Sequence, residues 1–360
     1  MKTNPLSAER VNNAKAAFTT RRADLTRAVT LLTGALTPVS GDLVLARVDE
    51  LGHHKLIELP TSRKAHLFSG DEIIVCYGNR YAPDQFEAEV PFDLGPCHLV
   101  AAGGLAAQVL SQHARMQPPT TITPLGLLGD AKGQRLNLRA WALPVTAFNF
   151  KHNRPLVYAV IGNSMNSGKT TTAANLIRGL VASGLRVGAA KITGTGAGND
   201  PGFFADAGAN PVYDFTWAGM PSTYRATAAE VRQIFETLVC HLTATGAQAI
   251  VLEIADGIFQ DETRELVSSR QFRHTVDGVL FAAADSLCAA YAIEWFRQRE
   301  LPLLGISGLV TASPLACRHQ LFVVSSSNIA FQWSIPTSRN RSALPSTIGE
   351  KTRPVRQTVQ

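Results

Sequence analysis

The hydrophobic and polar positions follow two different rhythms along this chain. From residue 38 to about residue 91 the apolar residues come in short runs, and Gly, Pro, Asn or Asp separates one run from the next. Runs of this length and spacing are typical of short antiparallel strands. The pattern then predicts one helix over 99–116 and a hairpin that turns at 130–133. Together these elements predict a small β-rich, barrel-like domain over 38–148.

A second rhythm begins after the polar stretch 149–154 and continues to about residue 334. Continuous apolar runs alternate there with two stretches of helical period, at 170–183 and 228–242, and the runs lie at 157–162, 185–192, 249–255, 278–284 and 303–310. Strands that are buried on both faces have this composition, and helices cover the faces of the parallel sheets that contain them. We therefore predict an α/β domain with a mostly parallel sheet over 149–334.

The net charge is concentrated at the two ends of the chain. The 360 residues carry a formal charge of +6. Residues 1–30 have six Lys/Arg against two Asp/Glu, residues 335–360 have five against one, and the remainder has 23 against 25. A folded basic face has no support in this distribution, so binding to nucleic acid is not expected. We interpret 1–37 as a helical arm, with its helix around 14–32, and the polar 335–360 as a disordered tail.

Two further properties restrict the class of protein. The chain has no uninterrupted apolar run of about 18 residues, so no membrane span is expected, and its N-terminus lacks the apolar core of a secretory signal. The five cysteines are scattered and never form a CxxC pair, so neither a disulfide framework nor a zinc site is expected. These observations predict a cytoplasmic protein.

The strongest motif is a phosphate-binding loop between the strand at 157–162 and the helix that follows it. Backbone N–H groups in such a loop converge on the helix N-terminus and bind phosphate oxygens. Lys169 would contact the β- and γ-phosphates, and the Thr170 hydroxyl would complete a Mg²⁺ shell. The predicted nucleotide-binding residues are Gly162, Asn163, Ser164, Met165, Asn166, Ser167, Gly168, Lys169, Thr170 and Thr171. The loop differs from the common version, because Asn163 stands where the first glycine is usual.

Acidic residues follow the apolar run at 249–255. Glu253 lies at the carboxyl end of a predicted buried strand, the edge where α/β sheets bind ligands. An unpaired buried carboxylate is costly, so we interpret Glu253 as a Mg²⁺ ligand, with a salt bridge to an arginine as the alternative. Asp256 is a candidate for positioning water or substrate, although an ordinary turn aspartate would fit this position equally well.

The pattern Gly-x5-Gly-Lys-Thr-Thr resembles the loop of dethiobiotin synthetase and its relatives among the cobyrinic acid synthase-like ATPases. The similarity extends over about 155–312, where Lys191 ends the second strand before a glycine-containing turn and Glu253 stands in the next acidic strand. The resemblance implies that Lys191 contacts phosphate or a substrate carboxylate, although an exposed lysine would produce the same pattern. It also implies a further metal-ligating aspartate, assigned to Asp206 with Asp200 in reserve, and a homodimer.

A second P-loop family is similar in part. The family of DgcN-type D-glutamate N-acetyltransferases also has a two-domain chain, a Thr-Gly turn after a strand and an Asp-Phe dipeptide, which here is Asp214-Phe215. Its loop ends differently after Gly-Lys, so we treat it as a neighbour within the superfamily.

Three hypotheses about function remain open. The first is a Mg²⁺-ATP-dependent enzyme that transfers the γ-phosphoryl group to a small carboxylate or carbamate held near Lys191, with Lys169, Lys191, Glu253 and Asp256 as catalytic residues. The second is a nucleotide-switched ATPase or GTPase that loads a protein partner or a metal, or an N-acyltransferase of the neighbouring family. The third is a retained fold without chemistry. No motif for reading a guanine base follows the run at 278–284, which favours ATP over GTP.

Overall fold

The computed structural model describes residues 1–146 and 154–314, and two large β-sheets organise them. The predicted fold class is confirmed, because a helix-covered parallel sheet follows a β-rich, barrel-like region. The predicted separating stretch lies outside the described residues except for residue 154. The last part of the second domain, 315–334, and the predicted disordered tail, 335–360, also lie outside them.

The first sheet contains ten strands within the described residues, and five of them close into a ring. The strands are β1 (Lys2–Pro5), β2 (Lys15–Ala16), β3 (Thr30–Thr33), β4 (Leu43–Glu50), β7 (Glu72–Tyr77), β8 (Arg80–Tyr81), β9 (Phe86–Glu89), β10 (Cys97–Ala101), β11 (Leu105–Gln112) and β12 (Thr120–Gly129), while β5 (Leu56–Glu58) and β6 (Lys64–His66) form a separate hairpin. In the ring, β12 pairs with β4, β4 with β7, β7 with β11, β11 with β10, and β10 with β12. This closed ring is the core of the β-rich region 1–146, and that whole region is the barrel.

Residues 99–116 contain the end of β10 and the whole of β11, so the prediction of a helix there is wrong. β10 and β11 pair antiparallel across Gly103 and Gly104, and Gly104 has a φ of +97°. β11 also pairs with β7 and β9. Its first three residues, Leu105, Ala106 and Ala107, are all buried. A strand buried on both faces lacks the alternation of apolar and polar residues that distinguishes strands from helices.

The predicted helical arm over 1–37 is also wrong. Its helix α1 (Ala8–Asn13) is short, and β1 and β3 belong to the first sheet, where β3 pairs with both β1 and β12. Leu31 and Leu32 pack into two different apolar clusters. Consecutive residues that point to opposite faces are the signature of a strand.

The second sheet consists of six parallel strands in the order β15-β14-β16-β13-β17-β18. Apolar clusters lie on both of its faces. The longest of its helices has 17 residues, and no helix within 1–146 or 154–314 combines the length and apolar character needed to cross a bilayer. The strands are β13 (Leu156–Gly162), β14 (Val187–Lys191), β15 (Val212–Asp214), β16 (Ala249–Glu253), β17 (Gly278–Ala282) and β18 (Leu303–Ser307), and the helices are α2 (Lys169–Ala182), α3 (Asn199–Asp206), α4 (Ala228–Ala244), α5 (Asp261–Ser268), α6 (Arg270–Thr275) and α7 (Ser286–Gln298).

The strand order brings the predicted motifs to one edge of the sheet. β13 lies between β16 and β17, and β16 also pairs with β14. Lys191 and Glu253, the last residues of β14 and β16, are partners in the parallel register. The loop that follows β13 lies at the same carboxyl edge, where ligands bind in open α/β sheets.

The barrel contacts this edge of the parallel sheet through a buried ion pair. Arg21 donates to both carboxylate oxygens of Asp214 at 2.9 Å, and its guanidinium stacks 3.7 Å from the ring centroid of Phe18. Asp214 is 1% exposed and also accepts from the backbone N–H of Thr216 at 3.0 Å. The pair fixes the end of β15 against the barrel.

We expect Asp214→Ala to lower the free energy of unfolding by about 3 kcal/mol, because the Arg21 side chain, which is only 15% exposed, loses its counter-charge. Urea unfolding followed by circular dichroism measures the effect. Glu294→Ala is the matched control, since Glu294 pairs with Arg297 on the exposed face of α7 and its loss should cost less than about 1 kcal/mol. Equal costs for the two variants would contradict the importance of the buried pair.

Candidate functional site

The loop between β13 and α2 leaves the N-terminus of α2 open to a ligand. Asn166 and Gly168 have φ values of +60° and +99°, and these turn the chain into the helix. α2 begins at Lys169, and its N-cap residue is Gly168, which has no side chain that could cap the helix. The first N–H groups of a helix have no partner within the helix. Together with the helix dipole, they favour a phosphate group at this position.

Close packing holds the loop in place. A Cβ atom on Gly168 would lie 2.9 Å from the Cα of Gly308, and one on Gly257 would lie 2.2 Å from the carbonyl oxygen of Asn163. The Oδ1 of Asn163 accepts from the backbone N–H of Ala284 at 2.9 Å. The asparagine at the position of the usual first glycine therefore ties the loop to the end of β17.

Lys169 is placed for phosphate binding by two backbone carbonyls. Its Nζ donates to the carbonyl oxygens of Ser164 at 2.6 Å and Asp256 at 2.8 Å, and the residue is 5% exposed. Burial lowers the pKa of Lys169, and the carboxylates of Asp256 and Glu253 partly oppose this shift. The lysine thus lies inside the loop with its charge directed toward the end of β16.

Lys191, Asp200 and Glu253 form a cluster beside the loop. Lys191 forms a salt bridge with Asp200, and its Nζ lies 3.6 Å from Oε1 of Glu253. Burial alone would lower the pKa of Lys191, but the two carboxylates outweigh burial and raise the pKa above its ordinary value. Glu253 therefore has a salt-bridge partner, and that partner is Lys191; the sequence predicts an arginine as the alternative to a metal ion.

One oxygen of Glu253 fits a magnesium ion. The side chain is buried, and its Oε2 has no hydrogen-bond partner. Burial raises the pKa of Glu253, whereas Lys191, Lys169 and a hydrogen bond with Thr170 act in the opposite direction. A buried carboxylate oxygen without a partner is costly unless a cation binds it. Thr170 and Glu253 are thus the residues that would hold Mg²⁺.

The donor set is small, as Mg²⁺ prefers. Within 1–146 and 154–314 no group of three or more His, Cys, Asp or Glu residues forms a metal site. Mg²⁺ usually binds one or two protein oxygens and takes its remaining ligands from phosphate and water. A Thr170 hydroxyl and one Glu253 oxygen beside a phosphate loop match this preference.

The structure does not bring Asp206 to this cluster. Asp206 is the last residue of α3, and its side chain is exposed. Asp200, in the first turn of the same helix, contacts Lys191 instead. Asp206 follows Asp200 by about 1.7 turns of helix, and only the first turn of α3 lies next to the end of β14. The prediction that Asp206 is a metal ligand is therefore wrong, and the aspartate of α3 that reaches the cluster is Asp200.

Asp256 lies between the loop and an open cleft. Its backbone N–H donates to Oε1 of Gln260 at 2.9 Å, and its side chain is half-buried. Burial raises the pKa of Asp256, and the positive charges of Lys169, Lys191 and Arg80 partly oppose the shift. The carboxylate therefore lies within the field of Lys169 and lines the cleft.

The cleft has a volume of about 600 Å³. The start of the loop supplies Ser164 and Met165 to its wall, and the barrel supplies Tyr81. The ring of Tyr81 lies 5.3 Å from that of Tyr224, and the Tyr224 hydroxyl donates to Glu87 of the barrel at 3.1 Å. A small molecule bound there would lie beside both Asp256 and the phosphate loop.

The remaining predicted loop residues have different surroundings. Ser167 is buried with no hydrogen-bond partner for its Oγ, and Thr171 is exposed on the first turn of α2. The side chain of Asn166 donates to Oδ2 of Asp84 in the barrel at 2.9 Å. Sequence reasoning missed the barrel residues Tyr81 and Asp84. No local pattern marks them, because they reach the site only through the packing of the two sheets.

Comparisons with known proteins give partial matches to nucleotide-binding structures. No family model matches the chain, and no curated protein matches it. The chain is similar to the signal recognition particle 54 kDa protein of Aeropyrum pernix in complex with GDP, with 19% identity, a TM-score of 0.36 and coverage of 50% of this chain and 41% of that one. It is also similar to the signal recognition particle receptor FtsY of Elizabethkingia anophelis in complex with GDP, with 16% identity, a TM-score of 0.34 and coverage of 51% and 58%.

A third match is the nucleotide-binding protein of Archaeoglobus fulgidus in complex with ADP, with 13% identity, a TM-score of 0.31 and coverage of 42% of this chain and 65% of that one. The chain thus spans less than two thirds of the length of each of these proteins. These matches do not show the dethiobiotin synthetase-like family. The structure itself shows a six-stranded parallel sheet with a loop between β13 and α2 that has the form of a phosphate-binding loop.

Proposed function

We propose that this protein is a Mg²⁺-ATP-dependent enzyme that transfers the γ-phosphoryl group to a small carboxylate or carbamate. The observation that carries the proposal is the unpartnered Oε2 of Glu253, on a carboxylate that interacts with Thr170 and whose Oε1 lies 3.6 Å from Lys191. A loop without chemistry has no use for a buried carboxylate oxygen at this point. The cleft next to the loop has room for a small acceptor.

Each residue has a separate part in this reaction. The loop N–H groups and Lys169 bind the β- and γ-phosphates. Thr170 and Glu253 would hold Mg²⁺, which would supply neutralisation of charge on the phosphates. Lys191 binds the acceptor carboxylate and directs one of its oxygens toward the γ-phosphorus, while Asp256 orients the acceptor from the cleft side. Catalysis then consists of positioning and charge neutralisation.

A second candidate function is a nucleotide-dependent switch that acts on a protein partner. The hydrogen bond between Asn166 of the loop and Asp84 of the barrel supports it, because a ligand that moved the loop would also change this contact with the barrel. The N-acyltransferase alternative has less support, since Asp214 of its Asp-Phe dipeptide is engaged with Arg21. The homodimer implied by the dethiobiotin synthetase resemblance remains a prediction.

Release of ADP in the presence of a panel of small acids tests the proposal. We expect a suitable acid to increase turnover of Mg²⁺-ATP, and Lys191→Met to raise the KM for that acid about tenfold with the affinity for ATP unchanged, as for the loss of one charge-assisted hydrogen bond. Lys132→Met, at an exposed turn of the barrel, is the control. Slow ATP hydrolysis that no acid stimulates would favour the switch.

A further inference from the structure

A buried carboxylate of the barrel accepts a hydrogen bond from the N-terminus of α3. Both oxygens of Glu58, at the end of β5, accept from the backbone N–H of Gly198 at 3.1 Å. Glu58 is 5% exposed, and its own backbone N–H donates to the carbonyl oxygen of Ala102 at 2.8 Å. The carboxylate is therefore anchored in the barrel and holds a residue of the other sheet.

The residue that Glu58 holds is close in sequence to the cluster of Lys191, Asp200 and Glu253. Gly198 is the N-cap residue of α3, and Asp200, two residues later, forms the salt bridge with Lys191. A Cβ atom on Gly198 would lie 2.6 Å from Oε1 of Glu58 and 2.4 Å from Oγ of Ser62. The junction is thus closely packed, and a shift of Glu58 would be transmitted to the first turn of α3.

The hydrogen bond to Gly198 explains a glutamate at position 58 better than packing does. Burial raises the pKa of Glu58, and the hydrogen bond from Gly198 opposes the shift. An apolar side chain would fill the same space without the cost of burying a carboxylate. A carboxylate at a helix N-terminus, in contrast, satisfies a free N–H group and interacts favourably with the helix dipole.

We infer that Glu58 is a positioning residue for Lys191. Through Gly198 and the first turn of α3 it keeps Asp200 against the Lys191 ammonium, so the barrel determines where that ammonium lies. The consequence for turnover rests on the proposed function, in which Lys191 binds the acceptor. The positional link from Glu58 to Lys191 rests on the contacts alone.

Chemical labelling of lysines in the full chain, with quantification by mass spectrometry, tests the link. In Glu58→Ala we expect an amine-reactive ester to label Lys191 about fivefold faster, as for the loss of one hydrogen bond, because its ammonium is released from Asp200. Labelling of Lys169 should not change, since its partners are the carbonyls of Ser164 and Asp256. Glu58→Gln should stay at the wild-type rate, because its amide oxygen still accepts from Gly198.

Three further variants test the link between Glu58 and Lys191. Asp200→Ala should match Glu58→Ala, and Glu50→Ala, on the exposed face of β4, should match the wild type. If Glu58→Ala does not fold, Glu58→Met removes the acceptor while it keeps the length of the side chain. Wild-type labelling of Lys191 in the folded variant, or equal acceleration at Lys169, would overturn the inference. A wild-type protein without acid-dependent turnover would instead contradict the proposed function and leave the labelling result standing.

Discussion

Lys169→Ala is expected to weaken nucleotide binding about 100-fold and to abolish turnover. The Lys169 ammonium lies inside the loop, 5% exposed, and two carbonyl oxygens hold it at 2.6 and 2.8 Å. A bound nucleotide would replace these partners with phosphate oxygens. Hydrogen bonds to charged groups contribute about 1.5–3 kcal/mol each, and about 2.7 kcal/mol corresponds to a factor of 100 in affinity.

Isothermal titration calorimetry with ATP and GTP measures this loss and also compares the two bases. Lys132→Ala is the matched control, because it removes an exposed lysine from the barrel turn and should leave the affinity unchanged. Thermal unfolding of both variants separates lost binding from lost folding. An affinity of Lys169→Ala within twofold of the wild type would remove the loop from the nucleotide site, and with it both candidate functions.

The loop between β13 and α2 could be predicted from the sequence because its signals are local. A buried strand, a glycine-rich turn with Gly168-Lys169 and an amphipathic helix follow one another within one short segment, and the structure has them in that order. The position of Lys191 and Glu253 at one edge also followed from local patterns. Each lies near the carboxyl end of an apolar run, and parallel strands place their carboxyl ends together.

The contacts of the barrel could not be predicted in the same way. Glu58, Tyr81 and Asp84 are an ordinary glutamate, tyrosine and aspartate in the sequence, and they gain a role only when two separate sheets pack together. The choice between Asp200 and Asp206 failed for a related reason. Both lie on one helix, and only the approach of α3 to the end of β14 decides which aspartate contacts Lys191.

The prediction of a helix at 99–116 shows a limit of apolar periodicity. The residues Leu105 to Ala107 are buried in succession because Ala106 packs into one apolar cluster and Leu105 and Ala107 pack into another. A chain segment of this kind has the same apolar density as a buried helix. The two glycines at 103 and 104 were the better signal, since the positive φ of Gly104 is typical of a turn between strands.

Glu253→Gln is expected to lower Mg²⁺-dependent turnover by about 100- to 1,000-fold, the range seen when one preorganised charge-stabilising group is lost. The substitution keeps the shape of the side chain and removes the charge from the buried oxygen that has no partner. Lys191 retains its salt bridge with Asp200, so the cluster should keep its structure. ATP affinity without Mg²⁺ should stay within about twofold, because the loop N–H groups and Lys169 still bind the phosphates.

Turnover measured against Mg²⁺ concentration separates this effect from a general loss of activity. A variant that has lost a metal ligand should need much more Mg²⁺ for half-maximal turnover, and its ATP affinity should no longer rise when Mg²⁺ is added. Glu265→Gln is the matched control, since it removes an exposed carboxylate from the wall of the same cleft. A wild-type response to Mg²⁺ in Glu253→Gln would show that Lys191 alone accounts for the buried carboxylate, and the magnesium site would then have to be sought among other oxygens near Thr170.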